Sequence, residues 1–164
     1  MRRPDGMILL RPCWLLLCWA ALILSGCGSE PLRPQQGDSG TRERALDAAL
    51  GQLGRPYRYG GADSAGFDCS GLVHFSYRAA GLSLPRSARD QMHSGLEIDS
   101  EDVRPGDLLF FRFPGNQANG VHVVMWLGGG RAIHAPSGTG EVEVIHIDVP
   151  WWMRRFEAAV AVAP

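Results

Sequence analysis

The chain reads as an α+β protein, with helices packed on a central antiparallel sheet. Three observations predict this. Apolar residues at helical spacing fill the first half of the domain, apolar runs of strand type fill the second, and no βαβ rhythm alternates the two. A stretch rich in Pro, Gly, Ser and Gln, "GSEPLRPQQGDSG" at 28–40, precedes both as a tether. The remainder, 41–164, is roughly 120 residues, enough for one real core.

The leading segment 1–26 has a different chemistry. Arg2, Arg3 and Arg11 precede "CWLLLCWAALILSGC", an apolar run too short for a spanning helix and ended by small residues, which is the pattern of a secretory signal. Leu24, Ser25, Gly26 and Cys27 resemble the lipobox of bacterial lipoproteins, in which the cysteine becomes the acylated N-terminus. An ordinary signal peptide with a cysteine near its cut is the alternative. Acyl chains on Cys27 would hold the mature chain on a lipid bilayer without a spanning helix, because each buried methylene contributes about 0.8 kcal/mol. Gly28 rather than Asp after that cysteine points, by the sorting habit of such lipoproteins, to an outer membrane and a periplasm-facing domain.

The elements of the domain follow in order. From Thr41, residues Ala45, Leu46, Ala49, Leu50 and Leu53 recur at three and four, and Gly54 and Pro56 end this first helix. Residues 54–66 are a Gly- and Tyr-rich loop. A second helix fits 69–80, with Leu72, Val73, Phe75, Ser76 and Ala79 inward, and a short third helix fits 85–93 with Ser87 as cap. "RPGDLLFFR" is a turn into a strand whose run from Leu108 to Phe111 is apolar on both faces. "HVVMWLGGGRAIHA" is strand, glycine turn and strand, and 142–147 alternates as another strand.

Of four cysteines, Cys13 and Cys18 leave with the signal and Cys27 is spoken for, so Cys69 has no partner in its own chain. In an exported protein an unpaired thiol is either a buried apolar residue or a reactive one. Its place at the start of the second helix favours the second reading. Unpaired backbone N–H groups and the helix dipole there stabilise a thiolate, which predicts a lowered thiol pKa and an oxyanion-binding corner. Five histidines are available as a base. His122 and His134 flank Gly128-Gly129-Gly130 and differ by twelve positions. An odd-length turn would put both rings on one sheet face, opposite or diagonal, whereas an even-length turn would separate them. His74, His93 and His146 read as surface side chains. No second cysteine or H-E-x-x-H stands at ligand spacing, so no metal or other cofactor is implied. A net charge of −1, with 20% charged residues and no basic block, argues against nucleic acid as partner.

"PYRYGG…FDCSGLVHFSY", "LPRSARDQ", "RPGDLLFF" and "HVVMWLGGGRAIHA" together resemble the NlpC/P60 peptidases over roughly 41–160. The resemblance implies a papain-like fold and a substrate among peptidoglycan stem peptides, typically cut between D-glutamate and meso-diaminopimelate or lysine. It implies Cys69 as nucleophile, His122 as base and His134 as orienting residue. Tyr57 matches a tyrosine beside the nucleophile, and Asp68, Ser70 and Ser87 match positions that line the substrate pocket. Asp68 and Ser87 are equally good helix caps. Trp151 and Trp152 read as packing and edge cover, and 112–120 as a loop shaping the cleft. No wall-binding module precedes the domain, so an endopeptidase on intact or crosslinked wall fits best. The alternatives on the same fold are an N-acetylmuramoyl-L-alanine amidase and a non-catalytic wall-binding lipoprotein. A protein that restrains such a hydrolase would be a further partner of unknown identity.

Overall fold

The computed structural model describes residues 39–113, 120–137 and 140–163. Cys27, the signal segment, nearly all of the tether, and 114–119 of the glycine-bearing loop lie outside them.

The helices come first. α1 (Ser39–Leu50) begins where the Thr41 hydroxyl accepts a hydrogen bond from Arg44, and it buries Ala45, Leu46 and Ala49. The following loop holds one small hairpin, β1 (Ala62–Asp63) with β2 (Gly66–Phe67), too short to show in sequence periodicity. α2 (Cys69–Ala79) runs back across α1. Leu72, Val73 and Ser76 face inward as expected, whereas Ala79 is exposed and Tyr77 is buried in its stead. The tyrosine can be buried because its hydroxyl donates to the Gly106 carbonyl at 2.5 Å, which satisfies the one polar atom that burial would strand. α3 (Ala88–Gln91) is a single turn, shorter than the 85–93 expected, and Ser87 caps it by accepting from the Asp90 amide.

The strands β3 (Leu96–Ile98), β4 (Leu108–Arg112), β5 (Val121–Gly128), β6 (Arg131–His134), β7 (Glu143–His146) and β8 (Phe156–Ala161) form one sheet in the order β3-β8-β4-β5-β6-β7. Every neighbouring pair is antiparallel. β3 and β8 escaped the sequence reading because Leu96–Ile98 is short and "FEAAVA" is alanine-rich, a composition shared with helices. β8 nevertheless inserts beside β4 and makes β4 an interior strand.

Alternation along the strands builds two cores. Leu108, Phe110, Val121, Val123, Met125 and Ile133 meet α1 and α2, while Leu109, Phe111, Val124, Ala132 and Ala159 meet Trp126, Trp152 and Phe156. The strand "LLFF" is thus apolar throughout because both of its faces are covered. A buried ion pair, Arg42 to Asp107 at 3.3 Å, ties α1 to the turn before β4, and Tyr77 ties α2 to the same turn. α4 (Pro150–Met153), a short turn not expected from sequence, carries Trp152 onto the second core.

Candidate active site

Cys69 is the first residue of α2, and Asp68 caps that helix. Asp68 Oδ1 accepts from the Gly71 amide at 2.7 Å and Oδ2 from the Gly60 amide at 2.9 Å. Gly71 is required here, since a Cβ on it would collide with the Gly61 carbonyl, which lies against the first turn. Arg86 closes the arrangement. Its two terminal nitrogens reach Asp68 Oδ1 at 2.8 Å and Oδ2 at 2.6 Å, and they also bond the Ser70 hydroxyl and the Gly61 carbonyl. Such a bidentate fork fixes the carboxylate in direction as well as charge. Gln91, fully buried, donates to the Ser70 and Pro85 carbonyls.

The second half of the site comes from β5 and β6. The hairpin between them closes on Gly128 opposite Arg131, so its turn is the two residues Gly129 and Gly130, at φ +59° and +74°. This is the even-length turn that the sequence argument took as fatal to a shared face. The register corrects it. Trp126 pairs with Ala132 and Met125 with Ile133, so Leu127 is an extra residue, a bulge that restores the parity. Continued, that register sets His134 opposite Val124 and His122 diagonal to it. The rings meet with His122 Nε2 2.9 Å from His134 Nδ1.

Both imidazoles are buried and stacked about by aromatics. Trp152 lies 6.0 Å from the His122 ring and 5.7 Å from that of His134, and Phe113 stands edge-on to His122 at 5.9 Å. Trp152 was expected to pack, and it packs on the histidines themselves. Burial pulls His122 down to about 3, with His134 adding to the shift, and burial pulls His134 down to about 4. Both rings are therefore neutral at neutral pH.

The thiol departs from expectation. Its helix-start position predicts a lowered pKa, but burial pushes the Cys69 thiol up, and the neighbouring Asp68 charge adds to this. The amides of Val123 and Ser70 and the Arg86 charge act in the opposite direction without reversing it. Partial charges at a helix end are a smaller effect than removing an anion from water. The resting pair is thus thiol and neutral imidazole.

Tyr57, Tyr59, Asp68, Cys69, Ser70, His122, Ala135 and Ser137 line one crevice. Burial first, and Cys69 next, raise Tyr57, so it keeps its proton and is a hydroxyl donor there. Ser87 is not among the lining residues, and its hydroxyl is engaged with Asp90 at the head of α3. His93 and His146 are exposed, whereas His74 is half-buried with Nδ1 2.7 Å from the Leu84 carbonyl oxygen. Sequence reasoning did not single out Arg86. Its signal was available as a charged residue inside the "LPRSARDQ" motif, next to a prospective cap.

A helix-start cysteine that lines one crevice with a histidine of the β5–β6 pair suits the chemistry of a cysteine hydrolase. The chain belongs to the NlpC/P60 family, whose profile matches residues 54–161. It is 36% identical over 107 residues to the Bacillus cereus gamma-D-glutamyl-L-lysine dipeptidyl-peptidase, covering 65% of this chain and 32% of that one. It is also 36% identical over 152 residues to the Escherichia coli "Probable endopeptidase NlpC", covering 90% of this chain and 96% of the other. Among solved structures, a Staphylococcus aureus protein described as similar to lipoprotein, of the NLP/P60 family, superimposes with a TM-score of 0.68 at 36% identity. That match covers 82% of this chain and 45% of the other. The chain spans only about a third of the first two curated relatives, 32% and 38% of their lengths.

Proposed function

We propose that the protein is a lipid-anchored cysteine endopeptidase that hydrolyses peptidoglycan stem peptides at the D-γ-glutamyl–meso-diaminopimelate or lysine bond. The observation that carries this reading is the crevice in which Cys69, at the start of α2, shares a wall with His122 of the His122–His134 pair. Because His122 Nε2 is engaged with His134, Nδ1 is the nitrogen left for the thiol. As sulfur attacks the acyl carbon, His122 takes the thiol proton, and it then protonates the leaving amine. Helix-start amides and the Tyr57 hydroxyl, which lines the same crevice, are the donors for the oxygen that gains charge. Water, deprotonated by His122, releases the acyl-enzyme. With thiol raised and imidazole lowered, proton transfer accompanies attack rather than preceding it.

Substrate class is supported by the relatives' names. The Bacillus cereus protein is named for a gamma-D-glutamyl-L-lysine bond, and an Escherichia coli relative, 33% identical, is named a murein DD-endopeptidase. The Leu24–Cys27 box supports export and acylation at Cys27, with the domain held on the outer membrane and facing the periplasm. Residues 28–164 incubated with purified muropeptides, beside a Cys69→Ala control, test the reading by product masses. Cleavage between the second and third stem residues, absent in the control, is the expected result. A cut between muramic acid and L-alanine would make it an amidase, and no cut on any wall substrate would sink the peptidase reading.

A further inference from the structure

The histidine pair leaves a proton to be placed. For His122 Nδ1 to accept the thiol proton, His122 must carry its own hydrogen on Nε2 and donate it to His134 Nδ1 across 2.9 Å. His134 is then a donor only at Nε2. That nitrogen is buried, its ring is 4% exposed, and it makes no hydrogen bond in the resting structure. A buried N–H without an acceptor is costly, so its surroundings decide how the pair behaves when charge arrives.

One carboxylate stands at that position. Glu143 is the register partner of His134 on β7, so both side chains share a sheet face, and Glu143 Oε1 lies 3.5 Å from His134 Nε2. The distance is a charge contact rather than a formed hydrogen bond. Among the described residues, the other groups facing the pair are Trp152 of α4 and Phe113, which are uncharged, and, across the crevice, Tyr57, Tyr59 and Cys69 with the compensated Asp68–Arg86 pair. Glu143 is therefore the negative charge placed behind His134, away from the thiol.

We infer that Glu143 is a positioning residue for the reaction, the fourth member of a relay Cys69–His122–His134–Glu143, fixing the tautomer of His134 and stabilising the imidazolium that forms on His122. The inference rests on the proposed roles of Cys69 and His122. No proton needs to reach Glu143. When His122 gains the thiol proton, its positive charge strengthens both following contacts, and the carboxylate closes on Nε2–H. Glu143 is more than a third exposed, so solvent screens it and the resting pair stays neutral. Its effect on ionisation is confined to the charged state, which is the state that matters for rate.

The test follows the second-order rate of Cys69 alkylation by iodoacetamide across pH, which needs no wall substrate. The wild-type protein should show a plateau through neutral pH, set by attack of the thiol as His122 takes its proton, and a rising limb at high pH where the thiol ionises alone. Glu143→Gln should lower the plateau about three- to tenfold, as expected for removing a partly screened charge near a cation. It should leave the high-pH limb in place, and Glu143→Asp should recover part of the loss. A structural fault would lower both limbs together, and thermal melts of both variants identify that case. An unchanged plateau in a folded Glu143→Gln protein overturns the inference. A wild-type thiol with no plateau, indistinguishable from His122→Gln, would instead overturn the Cys69–His122 pairing on which it rests.

Discussion

At one end of the crevice four consecutive residues, Asp68 to Gly71, supply the cap, the thiol, a hydroxyl and the close approach of backbone to helix. At the other end two imidazoles arrive from separate strands, through a glycine turn, a bulge and a diagonal register. The first end is mostly local and is charged, its Asp68 held by a part-exposed Arg86 from farther along the chain. The second is non-local and neutral, sealed by Trp152 and Phe113. The difference teaches that one site can place its anion-stabilising and proton-accepting parts under opposite electrostatic regimes. Helix-end amides suit the stabilising of negative charge, and Arg86 compensates the Asp68 carboxylate that would oppose it. A dry aromatic box keeps both imidazoles neutral, as a proton acceptor must be.

The comparison breaks most sharply at the thiol. Cys69→Ala should abolish hydrolysis, a loss of about a thousandfold or more, and leave the melting temperature nearly unchanged, because alanine fills most of the same space. Product masses and a thermal melt check the two halves together. At the imidazole end, His122→Gln should cost about a hundred- to ten-thousandfold in kcat with KM little moved, since general base catalysis is lost and binding is not. Steady-state kinetics on a muropeptide separates these parameters.

The buried neutral histidines also make stability depend on pH, with a definite sign. His122 at about 3 and His134 at about 4 resist protonation when folded, while the unfolded chain takes protons near the ordinary 6.5. Between those values the unfolded state binds more protons, so stability falls as pH drops from 6.5 toward 4. The slope should approach about two protons for the wild type and about one for His122→Gln. Urea denaturation at a series of pH values measures it.

Gly130→Ala probes the turn. At φ +74° a side chain is strained, and its Cβ would lie 2.5 Å from Asp148 Oδ2, so a loss of about 1–3 kcal/mol is expected. Activity should fall with it if the turn sets the histidine register. The smallest effect belongs to the helix end. Arg86→Lys keeps the charge and loses the fork, which should cost about 1 kcal/mol or less at this part-exposed pair and raise KM more than it lowers kcat.

Much of this was legible in the residues. Helical spacing marked α1 and α2, the apolar run marked β4, and "DCSG" marked the helix-start cysteine and its cap. Parity arithmetic brought His122 and His134 together but with the wrong reason for success, because a bulge is invisible in the glycine count. β8 was lost in its alanines, and Arg86 and Glu143 were lost because charged residues are ordinarily surface.

The sequence by itself determined the helix-first, strand-last order, the single candidate thiol of the domain and a glycine turn between the two histidine-bearing strands. These follow from local periodicity and backbone freedom, which act over a few residues. Only the tertiary structure decided the ionisation of the site. Burial by Trp152 and Phe113, and the meeting of Asp68 with Arg86 and of His134 with Glu143, join residues far apart in the chain. Desolvation depends on everything that surrounds a group, so the raised thiol and lowered imidazoles exist only once the layers have closed.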